Sequence, residues 1–113
     1  MPKILFQVNY VGEGIKGLYK EGGSKRRAVV DKLFESLGGT IEAFYYAFGE
    51  TDLYIIANFP DNASVAAAVL TVTSTGVVTA KTTVLLTPEE IDEAGKVTPT
   101  YIAPGLQIPL SNC

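Results

Sequence analysis

The chain has 113 residues, of which 47% are hydrophobic, and its 9 basic and 12 acidic side chains give a net charge of −3. This length fits one domain with a single core, and the acidic balance argues against duplex nucleic acid, whose binding needs clustered Lys and Arg. Histidine is absent, which removes the commonest general base and transition-metal ligand, so we expect neither a metal nor a cofactor.

The apolar fraction also bears on partners and compartment. A small domain has much surface for its volume, so an apolar excess favours a homo-oligomer in which a second copy covers part of it. No apolar run approaches the roughly 20 residues that span a bilayer, and no signal peptide precedes the first predicted strand. The single cysteine, Cys113, cannot form an internal disulfide. We therefore expect a cytoplasmic protein without a membrane partner.

The first half of the chain begins with a strand and a long helix. Apolar side chains alternate over residues 4–10, which predicts a strand, and residues 12–20 allow a helical turn or two. Ser24 is a candidate N-cap for a helix whose apolar stripe continues to Leu37 and which ends at Gly38-Gly39. Residues 40–48 and 52–59 then predict a β-hairpin around a turn at 49–51.

Both faces of this hairpin are apolar, with Phe44, Tyr46 and Phe48 on one and Ile41, Ala43 and Tyr45 on the other. A sheet with one wet face would alternate more cleanly, so we expect both faces to be covered, one by helices and one by something else. A helix over 63–73 and a strand over 77–86 follow. Thr87, Pro88 and Glu90 predict a capping box for a short helix that ends near Gly95.

The predicted order is β-α-β-β-α-β plus a short helix, which is the ferredoxin-like α+β arrangement with a four-stranded antiparallel sheet. We place this domain at residues 1–96. Residues 97–113 form a tail that three prolines keep from being a regular helix. Its apolar side chains suggest that it lies along a surface of its own chain or of a neighbouring copy.

Several short motifs follow one another across residues 1–96: Lys16-Gly17-Leu18, Glu21-Gly22-Gly23-Ser24, Arg26-Arg27, Glu35-Ser36-Leu37-Gly38-Gly39, Phe44-Tyr45, Phe48-Gly49, Asp52, Phe59-Pro60-Asp61-Asn62 and Leu86-Thr87-Pro88-Glu89-Glu90. With these motifs in this order, the chain resembles the GYD domain family. The resemblance implies a small bacterial or archaeal protein of dimeric α/β-barrel-like fold, and no established activity for the family as a group. The family's Gly-x-Tyr-Asp signature reads Gly49-Glu50-Thr51-Asp52 here, so threonine replaces its tyrosine.

A glycine-rich turn with basic neighbours is the first candidate site, and it predicts that a small anion binds there. A helix that starts after such a turn offers free backbone N–H groups and the positive end of its dipole. The alternative is that the glycines only shape the turn, while the basic side chains are solvated or pair with Glu21, Glu35 and Asp52. The residues of this predicted site are Lys16, Gly22, Gly23, Ser24, Arg26 and Arg27.

Asp52 and the tyrosines are the other candidates. Asp52 opens an apolar strand, where a partly buried carboxylate can act as a base, although an aspartate at a turn more often binds backbone N–H groups. The tyrosines Tyr10, Tyr45, Tyr46 and Tyr54, with Gln7, Asn9 and Asn58 in register, predict either a small-ligand pocket or an oligomer interface, where tyrosine is enriched. Interface is the favoured reading.

Two functions stay open. One is a non-enzymatic oligomeric domain that assembles with itself or binds a small anion or metabolite. The other is a cofactor-independent dimeric enzyme, an oxygenase, isomerase or decarboxylase, with Asp52, Tyr46 and Arg26 as acid–base and anion-anchoring groups between sheet and helices; fold analogy alone supports it. A tautomerase-like role for Pro2 and a nucleophilic role for Cys113 lack the surrounding residues that such chemistry needs. The non-enzymatic reading is favoured, as a closed dimer or a larger or open assembly.

Overall fold

The computed structural model describes residues 1–105 and confirms the α+β prediction. Its four strands form one antiparallel sheet in the order β2-β3-β1-β4, consistent with the ferredoxin-like arrangement. The elements in chain order are β1 Lys3–Tyr10, α1 Glu13–Glu21, α2 Gly23–Ser36, β2 Thr40–Tyr46, β3 Leu53–Asn58, α3 Asn62–Thr73, β4 Val78–Leu85 and α4 Pro88–Gly95.

The core lies between one face of this sheet and the helices α2 and α3. Alternate residues of β1 and β3 are buried there, because successive side chains of a strand point to opposite faces. Three phenylalanine rings form the centre: Phe34 of α2 lies 5.1 Å from Phe6 and 4.9 Å from Phe59, centroid to centroid. Offset and edge-on aromatic contacts of this kind stabilise a core beyond the area that they bury.

The first two helices differ from their predicted bounds. Where one or two turns were expected, α1 is a helix of 9 residues, and a single residue, Gly22, joins it to α2. The prediction of Ser24 as N-cap is wrong, because α2 already begins at Gly23 with Gly22 as its cap. Gly22 has a φ of 90°, a backbone conformation that glycine adopts without steric cost, and this lets the chain turn within one residue.

A β-bulge in β2 changes the predicted faces of the hairpin. The pairing with β3 shifts between Ile41 and Ala43, so Glu42 is the extra residue. Ile41 therefore packs against the core, on the same face as Phe44 and Tyr46, whereas the strict alternation of the sequence had placed it on the opposite face. One inserted residue reverses the face of every side chain that precedes it in the strand.

The last helix has the predicted capping box and projects from the domain. The Thr87 hydroxyl accepts from the Glu90 backbone N–H at 3.1 Å, and the Glu90 carboxylate accepts from the Thr87 N–H at 3.0 Å. Every residue of α4 is exposed, as are Val97, Tyr101 and Ile102 after it. The prediction that the tail lies along a surface stays a prediction, and its part at 106–113, including Cys113, lies outside the described residues.

None of the helices within residues 1–105 is long and apolar enough to cross a bilayer. In the same part of the chain, no three His, Cys, Asp or Glu side chains lie together where they would hold a metal ion.

Candidate functional site

The sheet separates the four candidate tyrosines into two pairs. Tyr10 and Tyr46 lie on the helix-covered face, where both pack against the core. Tyr45 and Tyr54 lie opposite each other in the β2–β3 register and point to the other face. The two readings made from the sequence, a ligand pocket and an interface, thus belong to different pairs on different faces.

A cavity of about 290 Å³ opens at the end of the sheet, between α1, the start of α2 and the end of α3. Its volume lies near the lower end of the range of small-molecule sites. Gly14 allows α1 to approach closely, since a Cβ there would lie 2.2 Å from the Val77 carbonyl oxygen. The lining residues are Tyr10, Glu13, Gly14, Gly17, Leu18, Glu21, Arg26, Val72, Thr75, Val77 and Val78.

Arg26 and Tyr10 are the polar groups at the inner end of this cavity. The Tyr10 side chain lies next to both Arg26 and Tyr46, and the Tyr46 hydroxyl donates to the Gly23 carbonyl at 3.2 Å. Burial raises the pKa of Tyr10, although the Arg26 charge opposes this, and burial together with Tyr10 raises the pKa of Tyr46 to about 12. Both hydroxyls therefore keep their protons at neutral pH and can donate hydrogen bonds.

The predicted anion site is not one cluster. Of its basic side chains only Arg26 lines the cavity, where it also pairs with Glu21 at 3.5 Å. Lys16 is largely exposed and pairs with Glu13 at 3.2 Å. Arg27 lies between Asp31, at 3.7 Å, and the ring of Phe44, whose centroid is 5.5 Å away. Gly22, Gly23 and Ser24 form the α1–α2 junction.

Asp52 ties the β2–β3 turn to the end of β1. Its carboxylate accepts from the Tyr10 backbone N–H at 2.9 Å, and its own N–H donates to the Asn9 side-chain oxygen at 2.8 Å. The Asn9 amide also donates to the Glu50 carbonyl at 3.2 Å. These bonds are those of an aspartate that organises a turn. The catalytic roles suggested for Asp52 and for Tyr46 stay predictions.

A family model described as the GYD domain matches residues 5–94. The chain belongs to the GYD domain family. No curated protein and no solved structure matches it. The signature segment of this GYD domain, Gly49-Glu50-Thr51-Asp52, forms the turn that Asp52 connects to β1. Thr51 stands in place of the signature tyrosine and is buried.

The second face of the GYD domain's sheet has no helix over it in residues 1–105. Leu5 lies at its centre between Ile56 and Thr83, and the next row across the sheet holds Tyr45, Tyr54, Gln7 and Lys81. At one end Glu42 accepts from Lys3 and, at 2.8 Å, from Asn58, and both bonds lower the pKa of Glu42. We call the surface formed by Leu5, Gln7, Ala43, Tyr45, Tyr54, Ile56 and Leu85 the open face.

The sequence did not single out the cavity wall that α3 and the start of β4 supply. Val72, Thr75 and Val78 complete the site there. In the sequence this stretch shows only a segment rich in β-branched residues at 71–75, which gives no sign of a pocket.

Proposed function

We propose that this GYD domain functions as a non-enzymatic, self-assembling unit whose open face packs against the open face of a second copy. The observation that supports this is the apolar open face itself. Leu5, Ile56 and Tyr54 are only half-buried, and Tyr45 is 71% exposed. Sheets that pack face to face bury such side chains in a layer about 10 Å thick.

A second copy fits this face better than an unrelated partner because the face can pair with itself. In a two-fold dimer the same patch lies on both sides of the interface, so the leucine, isoleucine and tyrosine side chains of one copy meet those of the other, with Lys81 at the β4 side of the patch. Tyrosine is enriched at interfaces, and the charged groups Lys3 and Glu42 already pair at one end of the face. The exposed α4 and the tail after it supply a second contact with the partner.

The test compares two tyrosines. Tyr45→Glu places a charge on the edge strand β2 within the proposed interface, and Tyr19→Glu places the same charge on α1, where Tyr19 is 92% exposed. Because both rings are exposed in the single chain, both variants should fold. In size-exclusion chromatography with light scattering we expect an oligomer for the wild type and Tyr19→Glu, and a monomer for Tyr45→Glu.

A wild-type monomer, or equal association of both variants, would contradict the proposal. Deletion of residues 97–113 measures how much the tail contributes to association. It should weaken association without abolishing it, because the open face remains.

The position of Arg26 favours a second function beside assembly, the binding of a small organic anion in the cavity. Arg26 is the basic side chain among the cavity lining, and the Tyr10 hydroxyl beside it is a protonated donor. Acid–base catalysis in the same cavity has less support, since neither Asp52 nor Tyr46 lines it. Titration of the wild type and Arg26→Gln with acetate tests anion binding, which should weaken in the variant.

A further inference from the structure

The cavity continues inward as an apolar recess of about 50 Å³ between the sheet and helices α2 and α3. Four residues line both the outer cavity and the recess, so the two spaces share a boundary: Tyr10, Arg26, Val72 and Val78. The deeper walls of the recess are apolar. They include Phe6 and Leu53 of the sheet, Phe34 of α2 and Ala68 of α3.

Arg26 spans this boundary. Its side chain is 30% exposed and lines the recess as well as the cavity, as expected when an apolar stem is buried and the charged head reaches the polar side. The titratable groups around the cavity are Tyr10, Arg26, Glu13 and Glu21. Glu13 pairs with Lys16, and Glu21 holds Arg26 only at 3.5 Å. A ligand therefore meets one positive charge, with two carboxylates at the rim.

From this arrangement we infer that the cavity binds a monocarboxylic acid with one compact apolar group, which deepens the anion-binding function proposed above and rests on it. The carboxylate pairs with the Arg26 guanidinium, which matches two carboxylate oxygens at once, and accepts a hydrogen bond from Tyr10. The apolar group lies in the outer cavity against Val72 and Val78 and reaches the mouth of the recess, whose volume of about 50 Å³ holds roughly two non-hydrogen atoms at about 30 Å³ each. A doubly charged anion such as phosphate is disfavoured, because Glu13 and Glu21 repel the additional charge.

The cavity volume sets the size of this acid. A volume of about 290 Å³ corresponds to roughly ten water molecules at about 30 Å³ each, so the ligand has on the order of ten non-hydrogen atoms. A short alkanoic or arylalkanoic acid has this size. Burial of its apolar part removes hydrocarbon from water, which adds affinity that a bare anion cannot gain.

The experiment titrates the full chain with 3-phenylpropanoate and follows the backbone amide NMR signals of Tyr10, Arg26, Val72 and Val78. Three probes are titrated in parallel. Acetate has the carboxylate without the apolar group, 3-phenylpropan-1-ol has the apolar group without the charge, and inorganic phosphate has charge alone. We expect 3-phenylpropanoate to bind about tenfold or more tightly than the alcohol, since a hydrogen bond to a charged group is worth this much, and about tenfold or more tightly than acetate, which buries no such apolar group. It should exceed phosphate by a similar factor, because phosphate also lacks the apolar group and meets Glu13 and Glu21.

Two variants at neighbouring positions of α2 test which positive charge binds the carboxylate of the ligand. Arg26→Gln should reduce 3-phenylpropanoate affinity about tenfold, to the level of the alcohol, whereas Arg27→Gln should leave it unchanged because Arg27 faces Phe44. If acetate or phosphate binds as tightly as 3-phenylpropanoate and Arg26→Gln weakens it, anion binding stands and the apolar-acid inference is wrong. If no anion binds, or Arg26→Gln changes nothing, both are wrong.

Discussion

Gly23 allows α2 to begin directly against the ring of Tyr46. A Cβ at this position would lie 2.9 Å from the Tyr46 Cε2 atom, so an added methyl group must displace the ring. We expect Gly23→Ala to lower the free energy of unfolding by about 1–3 kcal/mol, as overpacking does. Gly17→Ala is the matched control, because a Cβ there meets nothing within 4 Å. It should be neutral or stabilising by about 0.5–1 kcal/mol, since alanine favours a helix. Urea unfolding followed by tyrosine fluorescence measures both, and equal stability of the two variants would refute this packing.

The half-buried hydroxyls of Tyr10 and Tyr46 give the fold a dependence on alkaline pH. Burial and the neighbouring Tyr10 raise the pKa of Tyr46 to about 12 from its ordinary value of 10.0. Between these values the folded state holds a proton that the unfolded state has lost, so the stabilisation present below pH 10 disappears as the pH rises toward 12. Tyr46→Phe removes this group and should flatten the decline. Urea midpoints between pH 9 and pH 12 test this; parallel curves for the wild type and the variant would contradict it.

At the scale of elements, the β2–β3 turn is fastened to β1 through Asp52. Asp52→Ala leaves the part-buried Tyr10 N–H without its acceptor, which should lower the free energy of unfolding by about 1–3 kcal/mol. Asp52→Asn retains a side-chain oxygen and should cost less. Glu50→Ala is the control, because only the backbone carbonyl of Glu50 takes part, and its effect should stay within about 0.5 kcal/mol. A stable Asp52→Ala domain would remove the basis for this structural role.

The elements themselves were largely predictable from the sequence. Strand alternation, the Gly38-Gly39 stop and the Thr87 capping box are local patterns, and the structure has all three. The bulge at Glu42 was not predictable, because an inserted residue leaves no mark in a strand that is apolar on both faces. The left-handed backbone conformation of Phe48, with a φ of 57°, was not predictable either. Gly49 beside it is the residue type that ordinarily adopts such a conformation.

The candidate site was predictable only in part, for the same reason. Arg26 was singled out by its place after a glycine turn, yet the sequence could not separate it from Arg27. The two differ by one position on α2, which rotates their side chains by about 100° around the helix. One consequently lines a cavity and the other packs on Phe44. The cavity wall from α3 depends on contacts between distant parts of the chain, and no local pattern encodes them.

At the scale of the whole molecule, helices cover one face of the sheet while the other face stays open within residues 1–105. The exposure of α4 is a second feature that favours an assembly of more than one copy. It has 8 residues, and isolated helices shorter than about 12 residues are marginal in water, so a helix of this length would gain stability if it packed against the second copy proposed above. Both features are explained if the functional unit contains at least two copies of the chain.

The contact between open faces can be observed directly. Mixing isotope-labelled with unlabelled protein and recording isotope-filtered NOEs detects only contacts between copies. The account predicts NOEs from the Leu5 and Ile56 methyl groups of one copy to the Tyr54 and Tyr45 rings of another. Their absence would contradict it, as would NOEs confined to Leu70 and Val84, which line a separate groove between α3 and β4.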